Sequence, residues 1–408
     1  MRKIKSQGAR AAQAMYRFAI RTICATNHRN GRSGIGSNSV LLVRTDGIGD
    51  FVLFSPALRH IKRLFKSYRI SMIVNDATAD LACTCPYIDE LILCDMARYK
   101  WGFPYRYRTI LKLQTGNFDM AIYPVCSQEP LAQELTYCSG ATQTVVVDGD
   151  LNNITADLKK RNEKYFSRWL KVPSQILPEL ERNRLVVEML AGERIESSSF
   201  LPELWLTESD RFSARQMLAA EDLKPKANLI VGLAVGAAWQ GRQWPAERFV
   251  QIAKKILTTY PAKIIVVGSP KDASLALTIC ARVGPGSHVL AGKTTLRELA
   301  GVFELCDFVI ANESGPLHIA AAMGTPTLAL IGGGHFGRFY PYGDLNKHRM
   351  VFEKMDCYQC NWQCIYDTVR CVQEISCDDV WRETKRLVDE VILPAREFHF
   401  EESGRPVE

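Results

Sequence analysis

The chain has 408 residues, 47% hydrophobic and 23% charged, a balance that fits two or three packed globular domains and excludes a disordered, collagenous or coiled-coil protein. No run of 18 or more uncharged apolar residues is present, which excludes a transmembrane helix. The formal net charge of +7 belongs to the start: residues 1–39 hold eight Lys/Arg and no acid, leaving 43 bases against 44 acids for the remainder.

In chain order, residues 1–38 form a basic leader whose apolar stretch, Ala11–Cys24, is broken by Arg17 and Arg21, so it does not read as a secretory signal. Wound as a helix, it puts Met15, Phe18, Ala19 and Ile23 on one face and Arg10, Arg17 and Arg21 on the other, which suits an anionic membrane surface. A frayed, solvated terminus and an organelle transit peptide are the other readings. Val40–Arg44 predicts a strand ending in the turn Thr45–Asp50, and apolar spacing predicts a helix over about Ser55–Lys66. Strand-like runs recur at Arg69–Val74, Glu90–Cys94, Asp119–Val125 and Thr142–Val147. Residues 151–224 are charged, broken by Pro173, Pro178 and Pro202, and hold an amphipathic helix over Glu179–Leu190.

A second series alternates strands at Asn228–Val235, Lys263–Val267, His288–Leu290, Phe308–Ala311 and Thr327–Ile331 with helices at Ala246–Leu257, Asp272–Arg282, Thr295–Cys306 and Pro316–Met323. Thr295 and Glu298 form a capping-box pattern, and a tail helix is expected over about Asp378–Ile392. Two such series predict an α/β protein with two Rossmann-like domains facing across a cleft. The expected divisions are a leader (1–38), an N-terminal domain with a helical connector (39–224), a C-terminal domain (225–350), and a Cys-rich segment with the tail helix (351–408).

Three turns carry candidate chemistry. The first is Asp46-Gly47-Ile48-Gly49-Asp50, at the carboxyl end of the first strand, where parallel sheets form ligand crevices. Val52 stands where a dinucleotide fingerprint needs its third glycine, so an NAD site is disfavoured. Asp50 is then either a first-turn or capping acid of the helix or a general base. The second is Gly236–Pro245, with Arg242 as a cation beside small residues; a plain surface loop is the alternative. The third is Ala311–Ala321, in which Ser314-Gly315-Pro316 make a helix start whose free amides suit a diphosphate, with His318 in reach of the same anion or else structural.

These motifs, with Ala291–Leu299 between them, make the chain resemble glycosyltransferase family 9, the bacterial ADP-heptose:lipopolysaccharide heptosyltransferases. Asp46–Asp50 matches the family's D-x-I-G-D-like turn, and Val235–Pro245 matches its P-G-A-x-x-x-x-K-x-W-P-like segment. Ala291–Leu299 matches T-G-K-T-x-L-x-E-L, and Glu313–Pro326 matches D-S-G-P-x-H-x-A-A followed by G-T-P. The resemblance spans residues 39–350 and implies a GT-B-type fold. It implies that Asp50 is the catalytic base and that Gly236, Arg242, Glu313, Ser314, Gly315 and His318 line the donor site. Arg242 stands for the family's lysine and Glu313 for its aspartate. The implied reaction is inverting transfer of a heptose or related sugar from a nucleotide-diphosphate donor, ADP-heptose, to a lipopolysaccharide core or other lipid-linked or cell-surface glycan. It needs no cofactor for catalysis. The implied location is cytoplasmic, at the inner face of the bacterial inner membrane, with peripheral membrane contact through the leader. A catalytically inactive, metal-stapled scaffold of the same fold is the competing reading. Nucleic acid is not an expected partner, because outside the leader the charge is close to neutral and no recognition motif appears.

Of the 13 cysteines, eight are scattered and read as reduced, half-buried hydrophobes. The others crowd into Cys357-x2-Cys360-x3-Cys364-x6-Cys371-x5-Cys377. Four thiolates suit tetrahedral zinc or iron, and Cys357, Cys360, Cys364 and Cys371 are the expected structural ligands, against reduced thiols or a local disulfide. In the similar autotransporter heptosyltransferases such cysteines bind iron. The aromatic, cationic segment Trp101–Arg108 is expected to touch membrane or acceptor, or to be a surface loop.

Overall fold

The computed structural model describes residues 38–173, 177–224 and 227–396. The basic leader therefore lies outside the described residues. No helix among those described is long and apolar enough to cross a membrane. The chain divides into two compact units: Met1–Asp46 with Ala57–Gln175 and Arg182–Ile195, and Gly47–Pro56 with Ile176–Glu181 and Glu196–Glu408.

The first unit is built on a parallel sheet of β1 (Ser39–Arg44), β2 (Arg69–Asn75), β3 (Glu90–Cys94), β4 (Met120–Tyr123), β5 (Gln143–Val147) and β6 (Arg168–Leu170), in the order β3-β2-β1-β4-β5-β6. The second holds β7 (Leu229–Ala234), β8 (Ala262–Val267), β9 (Ser287–Val289), β10 (Phe308–Asn312), β11 (Thr327–Ile331) and β12 (His348–Phe352), in the order β12-β11-β10-β7-β8-β9. Each sheet reverses its direction of growth beside its own first strand, β1 or β7, which is the doubly wound pattern, so the expected α/β class with two Rossmann-like units is what the chain adopts. The central strands β1 and β7 are buried along their whole length, as strands covered on both faces must be. Each unit has its own apolar core: Leu41, Val43, Ile73 and Val146 belong to one, and Leu233, Val266, Ile310 and Leu330 to the other.

In five places the structure differs from the sequence reading. Helix α1 runs Ile48–Leu64, seven residues earlier than the spacing suggests, and carries Pro56 inside it. Proline removes one backbone donor. The Ser55 hydroxyl donates instead to the Val52 carbonyl at 2.7 Å, the oxygen that the amide of residue 56 would have taken. The segment Trp101–Arg108 is not a loop: α2 (Met96–Trp101) and α3 (Phe103–Thr115) meet at Gly102. Strands β6 and β12 carry no clear apolar alternation and are not expected from the sequence. The tail helix α6 covers Cys377–Leu387 and passes through a π-type turn, Val388–Ile392, before residues 393–396 resume the α-helix. Finally, Cys138 is disulfide-bonded, whereas Cys83, Cys85, Cys94, Cys126, Cys280 and Cys306 are free thiols as expected. The capping box at Thr295 is present, with Thr295 accepting from the Glu298 amide at 3.2 Å and Glu298 accepting from the Thr295 amide at 2.9 Å.

Candidate active site

The order of the second sheet reverses between β7 and β10, and the loops that leave these two strands carry the second and third sequence motifs. Asn312, the last residue of β10, ties them together. Its amide donates to the Val235 carbonyl at 2.7 Å, and its oxygen accepts from the Trp244 amide at 3.0 Å. Trp244 is buried and donates from its indole to the Ile375 carbonyl at 2.9 Å, so the start of α4 (Ala246–Thr259) is fixed to the core. At Gly236 the space a β-carbon would need is taken by the Asp272 carboxylate, 2.5 Å away. Close packing against that capping residue accounts for this glycine.

Arg242 closes the one-turn helix after β7. Its Nη2 donates to the Glu313 carbonyl at 2.8 Å and lies 3.9 Å from the Glu313 carboxylate. Its guanidinium sits over the ring of Trp362, 4.4 Å from the centroid. Arg242 Nε and Glu313 Oε2 are buried without a hydrogen-bond partner among the described residues. Burial pushes the Glu313 carboxyl up to about 7, against the opposing pull of Arg242 and of the Gly332 amide. Burial also lowers the pKa of Arg242, while Glu313 and then Asp50 act to raise it. Two buried groups with donor and acceptor capacity to spare are what an incoming anion with a bound proton or cation can complete.

Helix α5 (Gly315–Ala322) begins at Ser314, whose hydroxyl turns back to the Asn312 carbonyl at 3.2 Å and does not cap the helix. First-turn amides of a helix have no intrahelical acceptor, and Pro316 in that turn has no amide at all. His318 is buried, and burial, reinforced by Arg242, pushes it down to about 4, so the ring is neutral at pH 7. Its Nδ1 lies 3.1 Å from the Tyr342 hydroxyl. Burial holds that hydroxyl's pKa well above its usual range, so it keeps its proton. In the tautomer where the hydroxyl donates to Nδ1, the ring hydrogen sits on Nε2.

The turn of the first motif packs onto this helix start. A β-carbon on Gly49 would meet His318 Cδ2 at 2.7 Å, and one on Gly315 would meet Ile48 at 2.9 Å. Asp50 occupies the third position of α1 as a first-turn acid, half-buried, and its charge reaches Arg242. The neighbouring Asp46 is engaged by buried Arg44 at 2.8 Å. Of the expected residues, then, Asp50, Arg242, Glu313, Ser314, Gly315 and His318 gather in one place, whereas Gly236 packs against Asp272. Asn312, Tyr342 and Trp362 join them without being expected from the sequence. Asn312 lies inside the third motif, where the sequence assigns it no role of its own. The other two come from distant segments with no local signal.

Cys357, Cys360, Cys364 and Cys371 line one cavity of about 10 Å³, together with Trp362 and Gly333. That is room for a single atom-sized guest. The Gly333 amide donates to Cys371 Sγ at 3.2 Å. Burial raises the Cys371 pKa against the lowering effect of that amide, and the other three cysteines raise it further. Among the described residues no three potential ligands already stand in coordinating geometry. The four expected thiols are therefore neighbours around one cavity, without forming, among the described residues, a group that could hold a metal as they stand. Cys377 is the first residue of α6 and is absent from the cavity.

The family model for glycosyltransferase family 9 (heptosyltransferase) matches residues 166–368. Lipooligosaccharide heptosyltransferase 2 of Haemophilus influenzae is 22% identical over 305 residues, which cover 72% of this chain and 83% of the relative. Among solved structures, the family 9 glycosyl transferase of Veillonella parvula aligns with a TM-score of 0.71 at 20% identity, covering 88% of this chain and all of that one. The ADP-heptose lipopolysaccharide heptosyltransferase II of Escherichia coli aligns with a TM-score of 0.66 at 17% identity, covering 86% and 99%. The four motifs, the doubly wound sheets and these likenesses agree: the chain belongs to glycosyltransferase family 9 and is a GT-B-type glycosyltransferase.

Proposed function

We propose that this glycosyltransferase moves a heptose or related sugar from ADP-heptose to a lipopolysaccharide core or other lipid-linked or cell-surface glycan, with inversion at the anomeric carbon. The observation that carries the reading is the contact between the Asp46–Asp50 turn and the start of α5, with Arg242 beside both. An oxygen of the acceptor hydroxyl attacks the anomeric carbon while the bond from that carbon to the diphosphate breaks. Asp50 takes the hydroxyl proton. Arg242, the amides of Ser314 and Gly315, and the Nε2–H of His318 stabilise the charge that grows on the departing nucleoside diphosphate. A neutral imidazole serves as a donor without demanding a buried cation. Glu313 helps to orient Arg242. The adenine nucleotide and the heptose are supported by the names of the relatives alone.

The cysteine cavity is assigned to a structural zinc or iron, held by Cys357, Cys360, Cys364 and Cys371 and stapling the loop before α6 to the second sheet. Four soft thiol donors and a cavity for one atom support this. A location on the cytoplasmic face of the inner membrane, with the basic leader against anionic lipid, follows from the charge of that leader and completes the reading.

Calorimetric binding of ADP, UDP and GDP, with Arg242→Ala as control, tests the donor assignment. ADP-selective binding lost in the variant is the expected result. Selective UDP or GDP binding would change the nucleotide, and no binding to any of the three would remove the transfer mechanism altogether.

A further inference from the structure

The loop that carries the first three clustered cysteines has an unusual backbone. Gln359, Asn361 and Trp362 all take left-handed conformations, with φ of 64°, 50° and 59°, and none is a glycine. Side chains rarely adopt this region, so surrounding contacts must hold it. They do. The Gln359 amide donates to the Gly333 carbonyl at 2.7 Å, and the Asn361 amide donates to the Gly334 carbonyl at 3.0 Å. The Trp362 indole donates to His335 Nδ1 at 3.2 Å, and His335 Nε2 lies 2.6 Å from Asn361 Oδ1. One imidazole thus fixes two of the three left-handed residues, accepting from Trp362 and donating to Asn361.

The Gly332-Gly333-Gly334 run after β11 is the bed for this loop. β-Carbons on Gly332 and Gly334 would come within 2.6 Å and 2.3 Å of the Trp362 ring. The amide of Gly332 bonds to Glu313. The indole itself lines the thiol cavity and presents a face to the guanidinium of Arg242, 4.4 Å from its centroid, with the edge-on ring of Trp239 at 6.4 Å. Arg242 therefore has two restraints among the described residues, the Glu313 main chain and side chain on one hand and the Trp362 ring on the other.

We propose that Trp362 is the positioning residue for Arg242, and that it links the strength of nucleoside-diphosphate binding to the integrity of the four-cysteine loop. The inference rests on the reading of Arg242 as a diphosphate contact. A guanidinium held over an indole, with its Nε left open, is preorganised towards an anion, and a partly buried cation–π contact adds to its stability in that pose. Closing the thiols around a metal, or disrupting them, changes how firmly the left-handed loop is held and hence where the indole lies. Binding linkage is reciprocal, so a diphosphate that secures Arg242 must also secure the cysteine loop.

The experiment uses the full chain as isolated. ADP affinity is measured by calorimetry for wild type, Trp362→Phe and Trp362→Ala, and iodoacetamide labelling of Cys357, Cys360, Cys364 and Cys371 is followed by peptide mass with and without ADP. Trp362→Ala weakens ADP binding about tenfold, and Trp362→Phe, which keeps a ring face, recovers most of it. ADP slows labelling of these cysteines in wild type and fails to do so in Trp362→Ala. A folded Trp362→Ala that binds ADP as well as wild type overturns the inference and leaves the donor reading standing. Should that variant not fold, wild-type labelling indifferent to saturating ADP overturns it equally. Wild type that binds none of ADP, UDP and GDP removes instead the donor reading underneath.

Discussion

The imidazole of His318 lies directly against Gly49, so close that a β-carbon on the glycine would stand 2.7 Å from Cδ2 and 3.3 Å from Nε2. Gly49 sits in the first turn of α1, where alanine would ordinarily favour the helix by about 1 kcal/mol. Any loss on Gly49→Ala therefore comes from displacing His318. We expect the variant to be less stable by about 1–3 kcal/mol, the usual range for an extra methyl in a packed site, and to transfer sugar more slowly. Thermal unfolding and turnover measured side by side check this. A variant more stable than wild type with full turnover would contradict the packing described.

Asp50→Asn keeps the shape of the turn and removes the proposed proton acceptor. Transfer should fall by roughly 10²–10⁴-fold, the range for loss of a positioned general base, while ADP affinity changes little. Single-turnover assays together with calorimetry separate the two. Unchanged turnover would move the base elsewhere.

Glu313 supplies a pH prediction with a definite sign. Its carboxyl is raised from 4.5 to about 7 in the folded protein, so between these values the folded state holds a proton that the unfolded state has released. Its contribution to stability is fully present below about pH 4.5 and is lost as the pH rises through about 7. Buried His318 and His348, both lowered to about 4, act in the opposite sense, so wild type alone does not isolate the effect. The unfolding free energy of wild type relative to Glu313→Gln should therefore decline across that window, by at most about 3 kcal/mol. Denaturant titrations at pH 4.5, 6 and 7.5 measure it. A difference that is flat or rises with pH would refute the burial of an unsatisfied carboxyl.

The paired substitution Cys357→Ser and Cys360→Ser should lower the zinc or iron content of the purified protein and its melting temperature together. Elemental analysis and calorimetric scanning read both. Metal-free wild type from an anaerobic preparation would reduce the cavity to four neighbouring thiols.

Much of this architecture could be read in the chain because buried parallel strands such as Leu229–Ala234 are continuous apolar runs, and because turns with Gly, Ser and Pro punctuate them. The start of α1 could not. Pro56 looks like a helix beginning, and only tertiary structure shows Ser55 standing in for the missing donor. Strand β12, His348–Phe352, alternates neither cleanly nor strongly, and its place comes from pairing with β11. Within the site, the motif residues were legible because their backbone turns need particular residue types. Tyr342 and Trp362 were not, since what they do depends on neighbours 24 residues or more away in sequence. The segment Trp101–Arg108 was ambiguous for another reason. Its aromatic and cationic composition suits a loop, yet Arg106 turns inward to a buried pair with Glu134, which also accepts from Tyr99 at 3.0 Å.

The identical wiring of the two sheets has a consequence for how the protein comes to exist at all. Among the described residues every strand pairing is parallel, so no two neighbouring strands there can be joined by a hairpin. The pairing that creates the reversal in the second sheet matches Phe308 with Val231, and in the first sheet Val40 meets Met120. In each case about 80 residues of chain have to be gathered before a single rung forms, and that loss of freedom precedes any reward. The loops bearing Arg242 and His318 leave from that late-formed seam. Their geometry is thus assembled only when most of the second unit has folded around it, and a newly made chain cannot set these two loops in place until its last third has emerged.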